Sequence, residues 1–159
     1  MRTIHTNGTG VGLRFLTETI SIRTNTGPEF IDITDDVLAT VQRSAIQNGF
    51  AVVFSKHTTA AIRINENEPL LIKDMEHFLE RIAPTNAYYN HNDFSIRTVN
   101  MTEDECPNGH AHCQQLLMGA SETVPIIEGS LGIGRWQRIF LVALDRGRDR
   151  EILVHLVGE

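Results

Sequence analysis

The chain has 159 residues, of which 41% are hydrophobic and 21% charged, and this size and composition are typical of one globular domain with a substantial core. Its formal net charge of -6 argues against a nucleic-acid partner, because binding to DNA or RNA requires a surplus of Lys and Arg. No apolar run approaches the roughly 20 residues that span a bilayer, and no signal-peptide pattern begins the chain, so we expect a cytoplasmic protein with no membrane partner.

The first residues of the chain differ in composition from the rest. Residues 1–12 are rich in Gly, Thr and Asn and show no periodicity, which predicts a flexible N-terminal arm or an edge segment. Residues 13–159 contain periodic apolar segments on both sides of a polar connection at 85–108, and we predict that they form a single domain.

Helical periodicity appears in three segments. The first is expected to begin with Thr34 or Asp35 as its cap, because both side chains can accept hydrogen bonds from free backbone N–H groups. The second begins with Pro69, a residue that suits the first helical position. The predicted helical spans are 34–48, 69–83 and 114–120.

Alternating or continuous apolar runs predict the strands. The predicted strands are 13–24, 50–55, 59–64, 122–127, 131–133, 139–144 and 152–157. The run at 139–144 is apolar at every position, so we expect helices or another subunit on both of its faces. The segment Asp145–Glu151, DRGRDRE, carries three acids and three arginines and is expected to be a solvated hairpin tip. Since strands and helices follow each other without regular βαβ alternation, we predict an α+β fold with mixed or antiparallel sheets and two to three helices.

Two histidines stand apart from regular segments. His57 lies at the break between two predicted strands, where a side chain can face a cavity; a structural histidine that bonds a turn carbonyl is the alternative. His91 lies in a polar connection at 85–108, and loops of that length in compact domains are usually functional or disordered. Asp93 follows two residues later and could orient the ring or activate water. A solvated His91 is the alternative.

The segment CPNGHAHC at 106–113 brings His110 and His112 close together. On an extended segment both rings would face one side and could bind a single ion. If a helix begins before His110 instead, its free N–H groups would make an anion site. Either geometry favours a substrate with a phosphate or carboxylate group. Cys106 and Cys113 would complete a structural zinc set, but adjacent residues such as His112 and Cys113 rarely bind the same ion.

Glu66 follows the predicted strand that begins beside His57. A carboxylate in that place could act as a general base or as a second metal ligand, although acids before Pro69 also suit the dipole of the next helix.

Three motifs together resemble the YjbQ family, also called uncharacterised protein family 0047. They are HTTAAIRINEN, the His-x-His segment that runs into LLMGAS, and GSLGIGRWQRIFL, and the similarity extends from about Leu16 to Glu159. The resemblance implies a homotrimer with pockets near subunit boundaries and a metal-binding cluster of His57, His91, His110 and His112. The activity it implies is a secondary thiamine-phosphate synthase, which joins a pyrimidine diphosphate to a thiazole phosphate.

We therefore predict a metal-binding homotrimeric enzyme that acts on a small phosphorylated or anionic substrate. Three of the four histidines would bind the metal and leave one position open, while Asp93 or Glu66 would orient a ligand or move a proton. Neutral imidazoles suit zinc better than magnesium, although magnesium would suit a diphosphate substrate. The alternative is a non-catalytic trimeric module that binds a metabolite or another anion.

Overall fold

The computed structural model describes the backbone of residues 2–9 and the complete residues 12–159. The predicted arm at 1–12 includes Met1, Gly10 and Val11, which lie outside the described residues. Residues Arg2–Thr9 form a strand, β1, that pairs with β2. The other elements are β2 Arg14–Arg23, β3 Glu29–Asp32, α1 Thr34–Ser44, β4 Gly49–Ser55, β5 Ala60–Asn65, α2 Pro69–Ile82, a 3-10 turn Asn90–Asn92, α3 Gly109–Met118, β6 Ser121–Ile127, β7 Ser130–Leu131, β8 Arg138–Ala143 and β9 Asp149–Gly158.

The strands form two antiparallel sheets, which confirms the predicted α+β fold. The larger sheet has the order β1-β2-β9-β4-β6-β7, and the smaller has the order β3-β8-β5. In the larger sheet, β9 lies between β2 and β4 and pairs with both along its length. Among the described residues, no helix is long and apolar enough to cross a membrane.

The central strand of the smaller sheet, β8, belongs to two hydrophobic cores at once. Ile139 and Leu141 pack into the core between the two sheets, which also receives apolar side chains of α1. Phe140, Val142 and Leu144 point the other way and pack with residues of α2 and α3. Because successive side chains of a strand face opposite sides, the unbroken apolar run fills both layers. The prediction that both faces are covered is confirmed, but the larger sheet, which was not expected there, covers one of them together with α1.

The connection after β8 differs from the sequence expectation. Residues Asp145–Glu151 do not join two strands of a hairpin, because β8 pairs with β3 and β5 whereas β9 pairs with β2 and β4 in the other sheet. Asp145 is 4% exposed and Arg150 is 0% exposed. The prediction of a solvated hairpin tip is therefore wrong, since the segment crosses between the sheets and two of its charges are buried.

The helix boundaries agree with the sequence at α2 and differ elsewhere. Helix α1 ends at Ser44, and the next residue, Ala45, caps it in a left-handed conformation with φ 58°. The chain leaves the helix there because the N–H groups of Gln47 and Asn48 bond to the carbonyl oxygen of Glu159. Helix α3 begins at Gly109, well before its predicted start at residue 114. The prediction missed the first turn because that turn is polar and lacks apolar periodicity.

Asp32, the last residue of β3, connects this strand to the start of α1, to β8 and to the segment before α2. Its carboxylate accepts hydrogen bonds from the backbone and hydroxyl of Thr34, from Arg138 Nε at 2.7 Å and from Asn67. Burial alone would raise the pKa of Asp32, but the hydrogen bonds from Arg138 and Thr34 outweigh burial and lower that pKa. Its charged form is therefore stabilised by folding.

Asp32→Ala is expected to lower the free energy of unfolding at pH 7 by about 2 kcal/mol, because hydrogen bonds to a charged group are lost. The folded-state pKa is lowered, so this stabilisation is present above the unfolded value of about 3.9 and is lost as the pH falls through the folded value. Urea unfolding at pH 7 and at pH 3 should give a smaller difference from the unsubstituted protein at the lower pH. The control is Asp35→Ala, whose side chain is 85% exposed and pairs with the same arginine. An equal loss at both pH values would contradict the prediction.

Candidate functional site

A pair of histidines comes together where the long loop meets α3. His91 lies in the 3-10 turn Asn90–Asn92, and His112 lies in the first half of α3. Their ring centroids are 4.6 Å apart, with the planes at 66°. The loop is held against the helix by Asn92, whose side-chain oxygen accepts a hydrogen bond of 2.8 Å from the N–H of Gly109. A β-carbon at position 109 would lie 2.6 Å from that of Tyr89, so the close approach requires glycine.

His110 does not face the same way as His112. Because both residues are helical, their side chains lie about 200° apart around the axis, and the predicted extended geometry is wrong. The alternative, in which the helix begins before His110, is the one observed. The His110 side chain points into the protein, with the residue 8% exposed, and its buried Nδ1 has no hydrogen-bond partner.

His57 is attached to the start of β9. Its Nε2 accepts a hydrogen bond of 2.8 Å from the N–H of Glu151, so the hydrogen of the neutral ring is on Nδ1. Burial lowers the pKa of His57, and the positive charge of Arg150 lowers it further. The ring is therefore neutral at pH 7, with one nitrogen already engaged by the backbone.

His112 is also held in its neutral form. Burial is the largest cause of its lowered pKa, and the neighbouring His91 lowers it further, while the charge of Asp145 acts in the opposite direction. Neutral imidazole is the form that binds a metal ion, because protonation removes the lone pair that would coordinate it.

Three charged residues of the segment after β8 form a group that we call the arginine cluster: Asp145 and Arg150, which are buried, and Arg148, which is half-buried. Asp145 Oδ2 lies 2.7 Å from Arg148 Nη2, and Asp145 Oδ1 accepts a hydrogen bond from Arg150 Nη2. Arg150 Nη1 also donates to the hydroxyl of Thr59 at 3.1 Å. Burial lowers the pKa of Arg150 from its ordinary value, despite the attraction of Asp145.

The arginine cluster connects the two histidine regions. Asn108, the residue before α3, donates to Asp145 Oδ2 at 3.5 Å, and Arg148 lies 3.8 Å from the sulfur of Cys106. The charge of Asp145 raises the pKa of both His57 and His112 against the larger effect of burial, so the cluster lies within electrostatic reach of both.

Two glycines allow the segment that carries the cluster to lie against the turn before β3. A β-carbon at Gly27 would overlap the carbonyl oxygen of Asp145, and one at Gly147 would overlap that of Asn25. The contact is closed by Thr24, whose hydroxyl donates to the carbonyl of Arg148 at 3.0 Å. The glycines at 27 and 147 were the available sequence signal that this segment is packed, although neither identifies its partner.

The two predicted catalytic carboxylates lie in different places. Asp93 Oδ1 accepts hydrogen bonds from the backbone and hydroxyl of Ser95, and the latter bond measures 2.5 Å. These bonds to Ser95 lower the pKa of Asp93, so its carboxylate is charged at neutral pH. Glu66 follows the last residue of β5, whereas His57 precedes the first, and the strand between them spans roughly 17 Å. Glu66 instead lines an open cavity with Arg135, Trp136 and Arg138.

The cysteines do not form a metal site with the histidines. Both Cys106 and Cys113 are free thiols. Within the described part of the chain, no three side chains of His, Cys, Asp or Glu converge closely enough to hold an ion. One chain therefore brings His91 and His112 together as a pair, while His57 and His110 lie apart from it.

An open cavity of about 430 Å³ adjoins His91. It is lined by Asn90, His91, Ile96, Arg97, Val99 and Asn100. Arg97 is held in its wall by Glu105 at 2.5 Å and by the carbonyl of Asn100 at 2.7 Å. A small molecule in this cavity would contact His91 of the histidine pair and the guanidinium group of Arg97.

Comparison with known proteins gives one family. A family model described as UPF0047 protein YjbQ-like matches residues 18–159. A UPF0047 protein of Methanothermobacter thermautotrophicus is 40% identical over 94% of this chain and 97% of its own length. The UPF0047 protein YugU of Bacillus subtilis is 32% identical over 89% of this chain and 98% of its own.

Solved structures show the same fold. A crystal structure of a YbjQ-like protein from Sulfolobus solfataricus, described as of unknown function, superposes with a TM-score of 0.83 at 34% identity and covers 92% of this chain and 99% of its own. An uncharacterised protein of the same family from Clostridium acetobutylicum gives 0.76 at 36% identity, over 87% of this chain and 98% of its own.

Proposed function

The chain belongs to the YjbQ-like UPF0047 family, and from that premise we propose that it is a metal-dependent, homotrimeric cytoplasmic enzyme that acts on a small phosphorylated or anionic substrate. The observation that carries this proposal is the contact between His91 and His112, since two imidazoles at 4.6 Å with a lowered pKa at His112 favour a shared cation.

The donor set fits zinc better than magnesium, because its atoms are imidazole nitrogens and magnesium prefers oxygen. A catalytic zinc site requires three protein ligands and an open position. His91 and His112 supply two of them. We expect the third from His57 or His110, brought in by a local rearrangement or by a neighbouring subunit of the trimer.

When bound, a zinc ion would supply a Lewis acid for a phosphoryl oxygen or for water. The chain's own groups have other tasks. If His110 supplies the third ligand, His57 can donate its Nδ1 hydrogen to a substrate oxygen, since its Nε2 is engaged by the backbone. Asp93 or Glu66 would move a proton or orient a ligand. The specific reaction that the resemblance implies, thiamine-phosphate synthesis, expels pyrophosphate, and nearby cations such as Arg97 would stabilise its charge.

His112→Ala is expected to weaken zinc affinity at least about 100-fold, because it removes one of three ligands to the metal. Competition titration against a zinc-binding dye measures the affinity of the protein and of the variant, and mass spectrometry measures their metal content. The matched control is His77→Ala, an exposed histidine on α2, which should retain full metal content. Full metal content in His112→Ala would contradict the proposal.

A binding module without chemistry is the second candidate, and it is favoured by the two arginines that share one carboxylate in the arginine cluster. Titration of the metal-loaded protein with phosphate esters, including the two substrates of thiamine-phosphate synthesis, separates the candidates. An enzyme releases product with turnover, whereas the module shows saturable binding and leaves the ester unchanged.

A further inference from the structure

We infer that the arginine cluster is a phosphate-binding subsite, in which Arg148 contacts the phosphate group and Arg150 holds Arg148 and Asp145 in position. This inference rests on the proposed function for its place beside the histidines, and it identifies the residues that recognise the anionic group of the substrate. The charge balance, the unpaired donors and the access from solvent each support it.

The cluster carries one positive charge in excess of its negative charge. Arg148 and Arg150 both pair with Asp145, so two guanidinium groups share one carboxylate. The ion pairs around it are each neutral: Arg97 with Glu105, Arg146 with Asp104, and Lys56 with Glu151. Because Arg150 is buried and Arg148 is only partly exposed, water screens this excess positive charge incompletely, and the site favours an anion.

The cluster also has donors that make no hydrogen bond. The Nε atoms of Arg148 and Arg150 are both buried without a partner. Arg150 is 0% exposed, so solvent cannot satisfy its donor. A guanidinium group presents Nε and Nη hydrogens as a planar fork that matches two oxygens of a phosphate. Asn108 has an unpaired buried oxygen, which could accept from a hydroxyl group of the ligand.

Access from solvent assigns the two arginines different roles. The Arg148 side chain is 35% exposed, so a ligand can reach it, whereas the Arg150 side chain is 0% exposed. Arg150 therefore acts through Asp145 and Thr59 as a positioning residue.

The start of α3 adds to the positive potential beside Arg148. Its first turn contains no acidic residue, and the N–H of Gly109 is capped by the neutral amide of Asn92 and not by a carboxylate, while the Asn108 amide donates to Asp145. The N–H groups of a helix start favour negative charge. His112 lies one turn along the same helix, so a phosphate held here would be next to the histidine pair.

The test is equilibrium binding of inorganic phosphate to the full chain by isothermal titration calorimetry at constant ionic strength. The protein is used as purified and again after chelation of metal. Arg148→Met should weaken phosphate affinity at least about 10-fold in both states, because charge-assisted hydrogen bonds are lost. Arg148→Lys keeps the charge but lacks the planar fork, so its phosphate affinity should lie between that of the unsubstituted protein and that of Arg148→Met. The control is Arg146→Met, a 44% exposed arginine that pairs with Asp104, and it should bind as the unsubstituted protein does.

Three results would overturn the inference. The first is phosphate affinity no greater than that for chloride. The second is unchanged affinity in a folded Arg148→Met variant, or in Arg148→Lys if the former does not fold. The third is phosphate binding that disappears on chelation and is insensitive to Arg148, which would place phosphate on the metal and support the proposed function alone. Conversely, phosphate binding through Arg148 in a protein that takes up no metal would support this inference while the proposed function fails.

Discussion

Asp145→Ala is expected to lower the free energy of unfolding by about 4 kcal/mol, because removal of one partner leaves a buried charge without compensation. The variant would leave Arg148 and the fully buried Arg150 without their shared carboxylate. For a chain of this length the melting temperature should fall by roughly 10 °C. Urea unfolding and thermal denaturation at pH 7 measure both quantities.

The control for this prediction is Asp104→Ala. Asp104 also pairs with an arginine of the same segment, but its side chain is 77% exposed, so solvent screens the pair and the expected loss is far smaller than that for Asp145→Ala. The double variant Asp145→Ala/Arg150→Met should be more stable than Asp145→Ala alone, since the second change removes the stranded cation. Equal losses for the two aspartates would show that the cluster is solvated and would contradict the burial argument.

Phe140→Ala is the second substitution with a large expected effect, about 4 kcal/mol, because it opens a cavity in a packed core. Phe140 is 1% exposed and meets Phe30 edge to face, with ring centroids 6.0 Å apart. It lies in the core beneath α2 and α3, so we also expect faster hydrogen exchange in α3, which carries His112.

Phe78→Ala provides the matched control for Phe140. Phe78 lies on α2 with 55% of its surface exposed, so the expected loss is below about 1 kcal/mol. Urea unfolding measures the stability of both variants, and mass-spectrometric hydrogen exchange measures the opening of α3. A loss for Phe140→Ala as small as that of Phe78→Ala would mean that the smaller sheet and the helices are not packed as described.

Local patterns were sufficient for most of the elements. Helix α2 follows from Pro69 and its apolar period, and it spans Pro69–Ile82 as expected. The apolar run of β8 correctly predicted a strand covered on both faces, because strand geometry sends alternate residues to opposite sides. The pairing of β8 with β3 and β5 could not be predicted from the sequence, because hydrogen bonding between strands far apart in the chain leaves no local pattern.

The candidate site was predictable only in part. The spacing of His110 and His112 identified the segment, but their relative direction depended on where α3 begins. The contact between His91 and His112 joins a loop to a helix, and it depends on Asn92 bonding to Gly109. The metal-binding and catalytic roles of these residues stay predictions that the experiments above address.

The sequence by itself determined most of the element types, the α+β class and the segments that carry the histidines, because hydrophobic periodicity and turn residues act over a few positions. It did not indicate the strands β1 and β3. Only the tertiary structure decided that two charged residues of DRGRDRE, Asp145 and Arg150, are buried. Considered without the rest of the chain, this segment of three acids and three arginines has its lowest free energy in water, and this is why its sequence predicts a solvated hairpin tip. In the fold, β8 and β9 belong to different sheets, so this segment crosses between them and Asp145 and Arg150 become buried. The cost of desolvating charges is set by what packs around them, and that depends on residues far away in the chain.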